Sequence, residues 1–122
     1  MASPSKSIVI LGAGGYAQEV AWIIDDLNAH GAEWNLLGFV DPMASGEKEH
    51  YGRPVFNGYE AIHQKAIHHG HDRIYFACGI GTPAIRRKEC LYAEERGWLP
   101  AALVHPSVIR ARFVSIGDGS RI

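Results

Sequence analysis

The chain has 122 residues, which is the length of one ordinary domain and too short for two full ones. Its formal net charge of -1, with 20% charged residues, gives no basic surplus for nucleic acid, so any polyanion has to be bound locally by a loop. Two cysteines are too few for a disulfide framework, and the N-terminus lacks the apolar segment of a signal peptide. No apolar run approaches the roughly 20 residues that cross a bilayer. We therefore expect a cytoplasmic protein that binds neither nucleic acid nor membrane.

The first forty residues have the pattern of a strand, a helix and a second strand. An apolar, β-branched run at residues 7–11 ends in glycine, as is typical of a buried parallel strand. Apolar residues then recur every three or four positions over residues 16–30, which predicts an amphipathic helix that ends at Gly31. A second apolar run at residues 36–40 is predicted to lie parallel to the first, and this order favours the first half of a doubly wound sheet.

The middle of the chain predicts a loop followed by a second helix. Residues 44–51 are polar and are expected to form a surface loop. A short extended piece is expected at Val55, and a helix from about Tyr59 with Asn57 as its N-cap. Three histidines near the end of this helix have no acid or cysteine at a matching spacing, so we assign no metal site to residues 68, 69 and 71.

A third strand and a third helix follow. The apolar residues 74–78 predict the strand, and the segment "GIGTP" then places Thr82 at an N-cap and Pro83 at the first helical position. The helix is expected to run to about Arg96. A fourth strand is predicted at residues 101–104.

The last segment, residues 105–122, breaks this alternation. His105 lies at the junction, where a structural role is expected. Aliphatic or small residues then recur at intervals of six, in the pairs Val108 and Val114, Ala111 and Gly117, and Ile116 and Ile122. A three-sided parallel β-helix requires this period. Chance recurrence in a chain that is 47% hydrophobic is the alternative.

The glycine-rich segment after the first strand has the spacing of a phosphate-binding turn. Gly12, Gly14 and Ala17 satisfy the pattern G-x-G-x-x-G/A between a strand and a helix. The first glycine permits the tight turn, the second lets a ligand approach the backbone, and the small third residue allows close packing of helix on strand. Unpaired amides at the helix start, together with the helix dipole, favour a diphosphate.

Two further features are expected at the same edge of the sheet. Asp41 ends the second strand, where a carboxylate can accept hydrogen bonds from a ribose hydroxyl or a base N–H group. The second glycine loop, residues 79–82, follows the third strand, and Arg86 lies one helical turn further on, within reach of a phosphate. The alternative is purely structural: the glycines only form tight turns, and Asp41 only caps a turn before Pro42.

Five motifs in a fixed order carry a resemblance to a known family. The segments "GAGGYAQEV", "GFVDP", "GRPVFNGYEAI", "IGTPAIRRK" and "LVHPSV", followed by the six-residue period, resemble the bacterial nucleotide-sugar acetyltransferases. These include the sialic acid O-acetyltransferase type and the N-acetyltransferases of UDP-linked or GDP-linked amino sugars. The resemblance covers nearly the whole chain, and the order of the motifs makes it specific.

The resemblance implies an α/β fold with two parts. Residues 1–104 would form a small Rossmann-like domain, a parallel sheet with flanking helices that binds the nucleotide-sugar. Residues 105–122 would be the junction and the first hexapeptide-repeat coil of a truncated left-handed β-helix. In the family this β-helix trimerises, binds acetyl-CoA between neighbouring copies and supplies a general-base histidine, here expected beyond Ile122. The chain itself is therefore expected to bind the nucleotide-sugar and not to catalyse, with no catalytic residue of its own.

The family's binding residues carry over onto matching positions of this chain. The first loop would face the nucleotide, Asp41 and Pro42 the base or ribose, and the second loop the opposite wall. The loop residues concerned are Gly12, Ala13, Gly14, Gly15 and Tyr16 in the first loop and Ile80, Gly81 and Thr82 in the second. The family commonly has histidine at the position of Tyr16 and asparagine or aspartate at that of Thr82, and both residues here offer a hydroxyl instead.

Two other functions fit part of the pattern. The glycine spacing and Asp41 also suit an NAD-binding module of an oxidoreductase, although the chain has no residues left for a substrate domain. A nucleotide sensor without catalysis is the third candidate. Titration with UDP-sugars, GDP-sugars and NAD distinguishes the three.

Overall fold

The computed structural model describes residues 6–42, 49–68 and 73–103. The elements in these ranges are, in chain order, β1 (Lys6–Leu11), α1 (Gly15–Ala29), β2 (Trp34–Val40), β3 (Glu49–His50), β4 (Arg53–Phe56), α2 (Tyr59–His68), β5 (Ile74–Cys78), α3 (Pro83–Glu95) and β6 (Leu99–Pro100). The predicted β-helix coil at residues 105–122 and the histidines at positions 69, 71 and 105 lie outside the described residues. Within these ranges, no helix is both long enough and apolar enough to cross a membrane.

The strands form one mixed sheet with the order β3-β4-β2-β1-β5-β6. The pairs β1 with β2, β1 with β5, β2 with β4 and β5 with β6 are parallel, and β3 with β4 is antiparallel. The predicted parallel arrangement is thus confirmed. Because the chain leaves β1 toward β2 and later returns to its other side as β5, the strand order reverses at β1, and crevices that bind ligands form at such points.

Helices cover both faces of the sheet, and alternate residues of the central strand separate the two layers. Ile8 and Ile10 of β1 pack with the apolar side of α1. Val9 and Leu11 point to the other face and pack with residues of α2 and α3. All four side chains are fully buried, which is why this strand is a continuous apolar run.

The third small residue of the glycine motif has the packing role expected of it. Ala17 is fully buried, and a Cβ added to Gly79 at the end of β5 would lie 2.6 Å from the Ala17 Cα atom and 2.8 Å from its Cβ atom. A backbone contact this close requires glycine on one side and a small residue on the other. The start of α1 is therefore set against both β1 and β5.

The structure corrects three predicted boundaries. The last strand is Leu99–Pro100 and ends before the predicted residues 101–104. The backbone N of the buried Trp98 donates to the Ala93 carbonyl oxygen (3.1 Å) just after α3, so the chain enters the sheet at once. Part of the predicted loop at 44–51 is strand β3, which turns into β4 through Tyr51 and Gly52, both with positive φ as in the favoured two-residue hairpins. Helix α2 begins at Tyr59, so its N-cap position belongs to residue 58 and not to Asn57.

The contact between Gly79 and Ala17 generates a stability prediction. We expect Gly79→Ala to lower the free energy of unfolding by about 1–3 kcal/mol, because α1 has to move away from β5 to admit the methyl group. Urea denaturation followed by circular dichroism measures the change. The matched control is Gly81→Ala in the same loop, where an added Cβ has no heavy atom within 4 Å. Equal stability of the two variants would contradict this account of the packing.

Candidate functional site

A cavity of about 330 Å³ lies at the carboxyl ends of β1, β2 and β5. We call it the glycine-loop cavity. It brings together most of the residues singled out in the sequence: Gly12, Ala13, Gly14, Gly15, Tyr16, Asp41, Pro42, Ile80 and Gly81. Segments that are nearly 70 positions apart in the chain thus meet at one edge of the sheet.

The first glycine of the motif holds the two loops in contact. Gly12 has a φ of +97°, and a Cβ there would lie 2.9 Å from Ile80 Cγ1 and 3.2 Å from the Gly79 carbonyl oxygen. Its backbone N donates a hydrogen bond to the Val40 carbonyl oxygen at 2.7 Å. A larger residue would therefore strain the backbone and separate the loops.

The next glycines have the opposite surroundings. A Cβ added to Gly14 or Gly15 would have no heavy atom within 4 Å, so the backbone here is open to a ligand. Gly14 is the N-cap of α1, no side chain caps the helix, and its first turn contains no acidic residue. The start of this helix, with the positive end of the helix dipole, thus favours an anionic group, and the turn itself carries no carboxylate.

Asp41 stands at the rim of the same cavity. Its backbone N donates to the Phe56 carbonyl oxygen at 2.8 Å, which holds the end of β2 against β4. The residue is partly exposed and, with Pro42, lines the cavity. A carboxylate in this position offers acceptors to a ribose or base N–H group.

Two of the predicted binding residues lie outside the lining of this cavity. Thr82 is the N-cap of α3, with Pro83 at the first helical position as predicted, and its carbonyl oxygen accepts a bond from the Arg86 backbone N at 2.8 Å. Burial raises the thiol pKa of Cys90, one turn along α3, and the positive charge of Arg86 offsets part of that rise. A binding role for Thr82 and Arg86 stays a prediction.

The sequence interpretation missed two residues that line the cavity, Ile85 and Glu89, whereas Gly79 belongs to the second glycine loop that it placed at this edge. Ile85 and Glu89 lie four positions apart in α3, so they share one face of the helix. The sequence interpretation selected Arg86 on α3 because of its positive charge, whereas the face of α3 that borders the cavity carries Ile85 and Glu89. The spacing of four residues between these two was the sequence signal that could have indicated this face.

A second cavity, of about 500 Å³, lies between the start of α2 and α3. We call it the helix cavity. It shares Pro42, Ile85 and Glu89 with the glycine-loop cavity, so the two are neighbours with a common wall. Lys88 and Arg96 also line it.

A buried hydrogen bond links the two helices at this wall. The Tyr59 hydroxyl donates to Glu89 Oε1 at 2.5 Å, and the two residues are 6% and 8% exposed. Burial above all, and then the Glu89 carboxylate, raise the pKa of Tyr59 well above its usual value, so its hydroxyl remains a donor. The Arg96 guanidinium lies 5.2 Å from the centre of the Tyr59 ring.

The hairpin of β3 and β4 reaches over the beginning of α1. His50 Nε2 lies 2.9 Å from the Gly14 carbonyl oxygen, and because that oxygen can only accept, Nε2–H is the donor. Arg53 pairs with Asp25 further along α1 at 2.6 Å. These contacts hold the hairpin on the helix that begins at the glycine loop.

Cys90 is a poor candidate for a nucleophile. Burial, followed by the neighbouring Cys78, raises the pKa of its thiol to about 12. Since the thiolate is the reactive form, Cys90 stays protonated and unreactive at neutral pH. The chemistry of this edge of the sheet is therefore that of binding through backbone amides, carboxylates and hydroxyls.

Comparison with solved structures finds a sugar acetyltransferase. A histidine-to-asparagine mutant of perosamine N-acetyltransferase from Caulobacter crescentus, in complex with CoA and GDP-perosamine, matches this chain with a TM-score of 0.59 and 27% sequence identity. The match covers 83% of this chain and 43% of that one, so the chain spans less than half the length of this relative. No curated protein sequence matches the chain.

Residues 7–90 match the PglD N-terminal domain family. The matched range runs from β1 into α3 and includes both glycine loops, Asp41 and Glu89. It covers more than half of the chain, and the solved acetyltransferase has the same mostly parallel sheet with flanking helices. The chain therefore belongs to the PglD N-terminal domain family, the N-terminal domains of nucleotide-sugar acetyltransferases.

Proposed function

We propose that this chain binds the nucleotide-sugar substrate of an acetyl-CoA-dependent sugar acetyltransferase. One observation carries the proposal: the two glycine loops and Asp41 converge on a single cavity at the open backbone of Gly14 and Gly15. The solved relative was captured with both CoA and GDP-perosamine, which supports the assignment of substrate class.

In this proposal, different residues of the cavity contact different parts of the ligand. The diphosphate lies against the amides of residues 13–15 at the start of α1, where the helix dipole favours negative charge. Asp41 accepts hydrogen bonds from the ribose. The apolar side chains of Ile80 and Pro42 line the cavity beside the ribose, and Pro42 also borders the neighbouring helix cavity.

Acetyl transfer itself belongs to another part of the enzyme. An amine or hydroxyl of the bound sugar attacks the thioester carbonyl of acetyl-CoA, a general base takes its proton, and the CoA thiolate leaves. We infer from the family resemblance that the β-helix supplies this base and the acetyl-CoA site. By the same resemblance, the whole enzyme is a cytoplasmic homotrimer, and the nucleotide-binding domain holds the sugar at the β-helix. Holding the reactants in line is what the nucleotide-binding domain contributes to the rate.

The proposal predicts selective stabilisation by nucleoside diphosphates. We expect GDP or UDP to raise the melting temperature of the chain and NAD to leave it unchanged, because the proposed ligand carries a sugar, and not a second nucleoside, on its diphosphate. A ligand at about 100 times its Kd stabilises a protein by about 2.7 kcal/mol, which a thermal shift detects readily. Stabilisation by NAD alone would favour the oxidoreductase alternative instead.

A substitution at the open glycine tests the location of the site. We expect Gly14→Val to abolish nucleotide binding while the chain stays folded, because an added Cβ has no protein heavy atom within 4 Å and the side chain occupies the proposed space of the phosphates. Calorimetric titration and circular dichroism give the two readouts. Ala29→Val, an exposed change at the opposite end of α1, is the control and is expected to bind normally. Unchanged affinity in Gly14→Val would remove this loop from the site.

A further inference from the structure

We propose that the helix cavity holds the base of the nucleotide, and that Glu89 makes it selective for guanine. The inference rests on the proposed function, because it takes the diphosphate to lie at the glycine loop. It assigns a substrate class, GDP-sugars, and a specificity-determining residue.

The placement of the base follows from the shared wall of the two cavities. A nucleotide with its diphosphate at residues 13–15 and its ribose near Asp41 extends past Pro42, which lines both cavities. Ile85 and Glu89 also belong to both, so the base enters the helix cavity between an aliphatic side chain and a carboxylate. With about 500 Å³ the helix cavity has room for a purine.

The carboxylate of Glu89 is prepared to accept two hydrogen bonds from a ligand. A carboxylate has two oxygens with about four acceptor positions, and the Tyr59 hydroxyl occupies one of them at Oε1. This short bond inside a buried environment fixes the orientation of the group without using its full capacity. The residue is 8% exposed, so any ligand that reaches it does so through the cavities that it lines.

Guanine is the base whose edge fits a carboxylate. It presents two adjacent donors, N1–H and the 2-amino group, which can bind both oxygens at once. Uracil has a single N–H between two carbonyl oxygens. Adenine and cytosine have an accepting ring nitrogen beside their amino group. Each of these bases would therefore bring an acceptor against the Glu89 carboxylate. Next to its two donors guanine has the acceptor O6, and the cations of Lys88 and Arg96 line the same cavity.

Calorimetric titration with GDP, IDP and UDP tests the inference. IDP differs from GDP only by lacking the 2-amino group, so the ratio of their Kd values isolates one of the two proposed bonds. We expect the wild-type chain to bind GDP about tenfold or more tightly than IDP or UDP, since a hydrogen bond to a charged group has this magnitude. In Glu89→Gln we expect the ratio of GDP to IDP to fall toward one, while the amide oxygen still accepts from Tyr59.

Two further variants keep the result interpretable. Glu94→Gln is the matched control, an exposed acid on the same helix, and is expected to retain the wild-type ratio. Tyr59→Phe removes the hydroxyl that orients the carboxylate and keeps the ring, so it is expected to lower the ratio of GDP to IDP as well. If Glu89→Gln does not fold, the wild-type ratio and Tyr59→Phe decide the outcome.

The possible failures are distinguishable. If Glu89→Gln weakens GDP, IDP and UDP equally, the carboxylate serves only to hold α3 on α2 and the inference is wrong. If the wild-type chain prefers UDP, or does not distinguish GDP from IDP, the guanine assignment fails while the proposed function stands. If no nucleoside diphosphate binds, the proposed function itself fails.

Discussion

The site depends on the close backbone approach between α1 and the end of β5. Gly79 lies against Ala17, and Gly12 lies against the Ile80 side chain and the Gly79 carbonyl, so two loops nearly 70 residues apart are held at contact distance. This is possible because the strand order reverses at β1, which places β1 and β5 side by side with their following loops at one edge. Gly14 and Gly15 are uncovered, so the closely packed Gly12 and the open backbone lie within four residues of each other.

Hydrogen bonds between separate elements then join the rest of the edge to this centre. Tyr59 and Glu89 form a buried bond between α2 and α3 at the wall between the two cavities, where polar groups removed from water need such partners. On the surface, His50 connects the hairpin with the Gly14 carbonyl. Formation of the site is therefore coupled to the packing of all three helices and of the hairpin on the sheet.

The proposed binding mode separates affinity from selectivity. In it, backbone amides at the start of α1 bind the diphosphate whatever nucleoside carries it, since the phosphate groups are common to all. Discrimination between bases has to come from side chains further along the crevice, where a carboxylate and two cations surround a partly apolar cavity.

The sequence by itself determined the features that depend on local interactions. The apolar run of β1, the helical period of α1 and the turn at Gly12 were predictable, because burial on two faces, a 3.6-residue repeat and positive φ each leave a local signature. Only the tertiary structure decided how α3 is rotated about its axis. Its buried residues are Glu89 and Ala93, one turn apart, and packing of the small Ala93 in the core places Glu89 on the inner face of the helix. Tyr59 contacts Glu89 across 30 residues of chain, and His50 contacts Gly14 across 36. Neither pairing has a signature in the sequence, because each is set by how separate elements pack on the sheet.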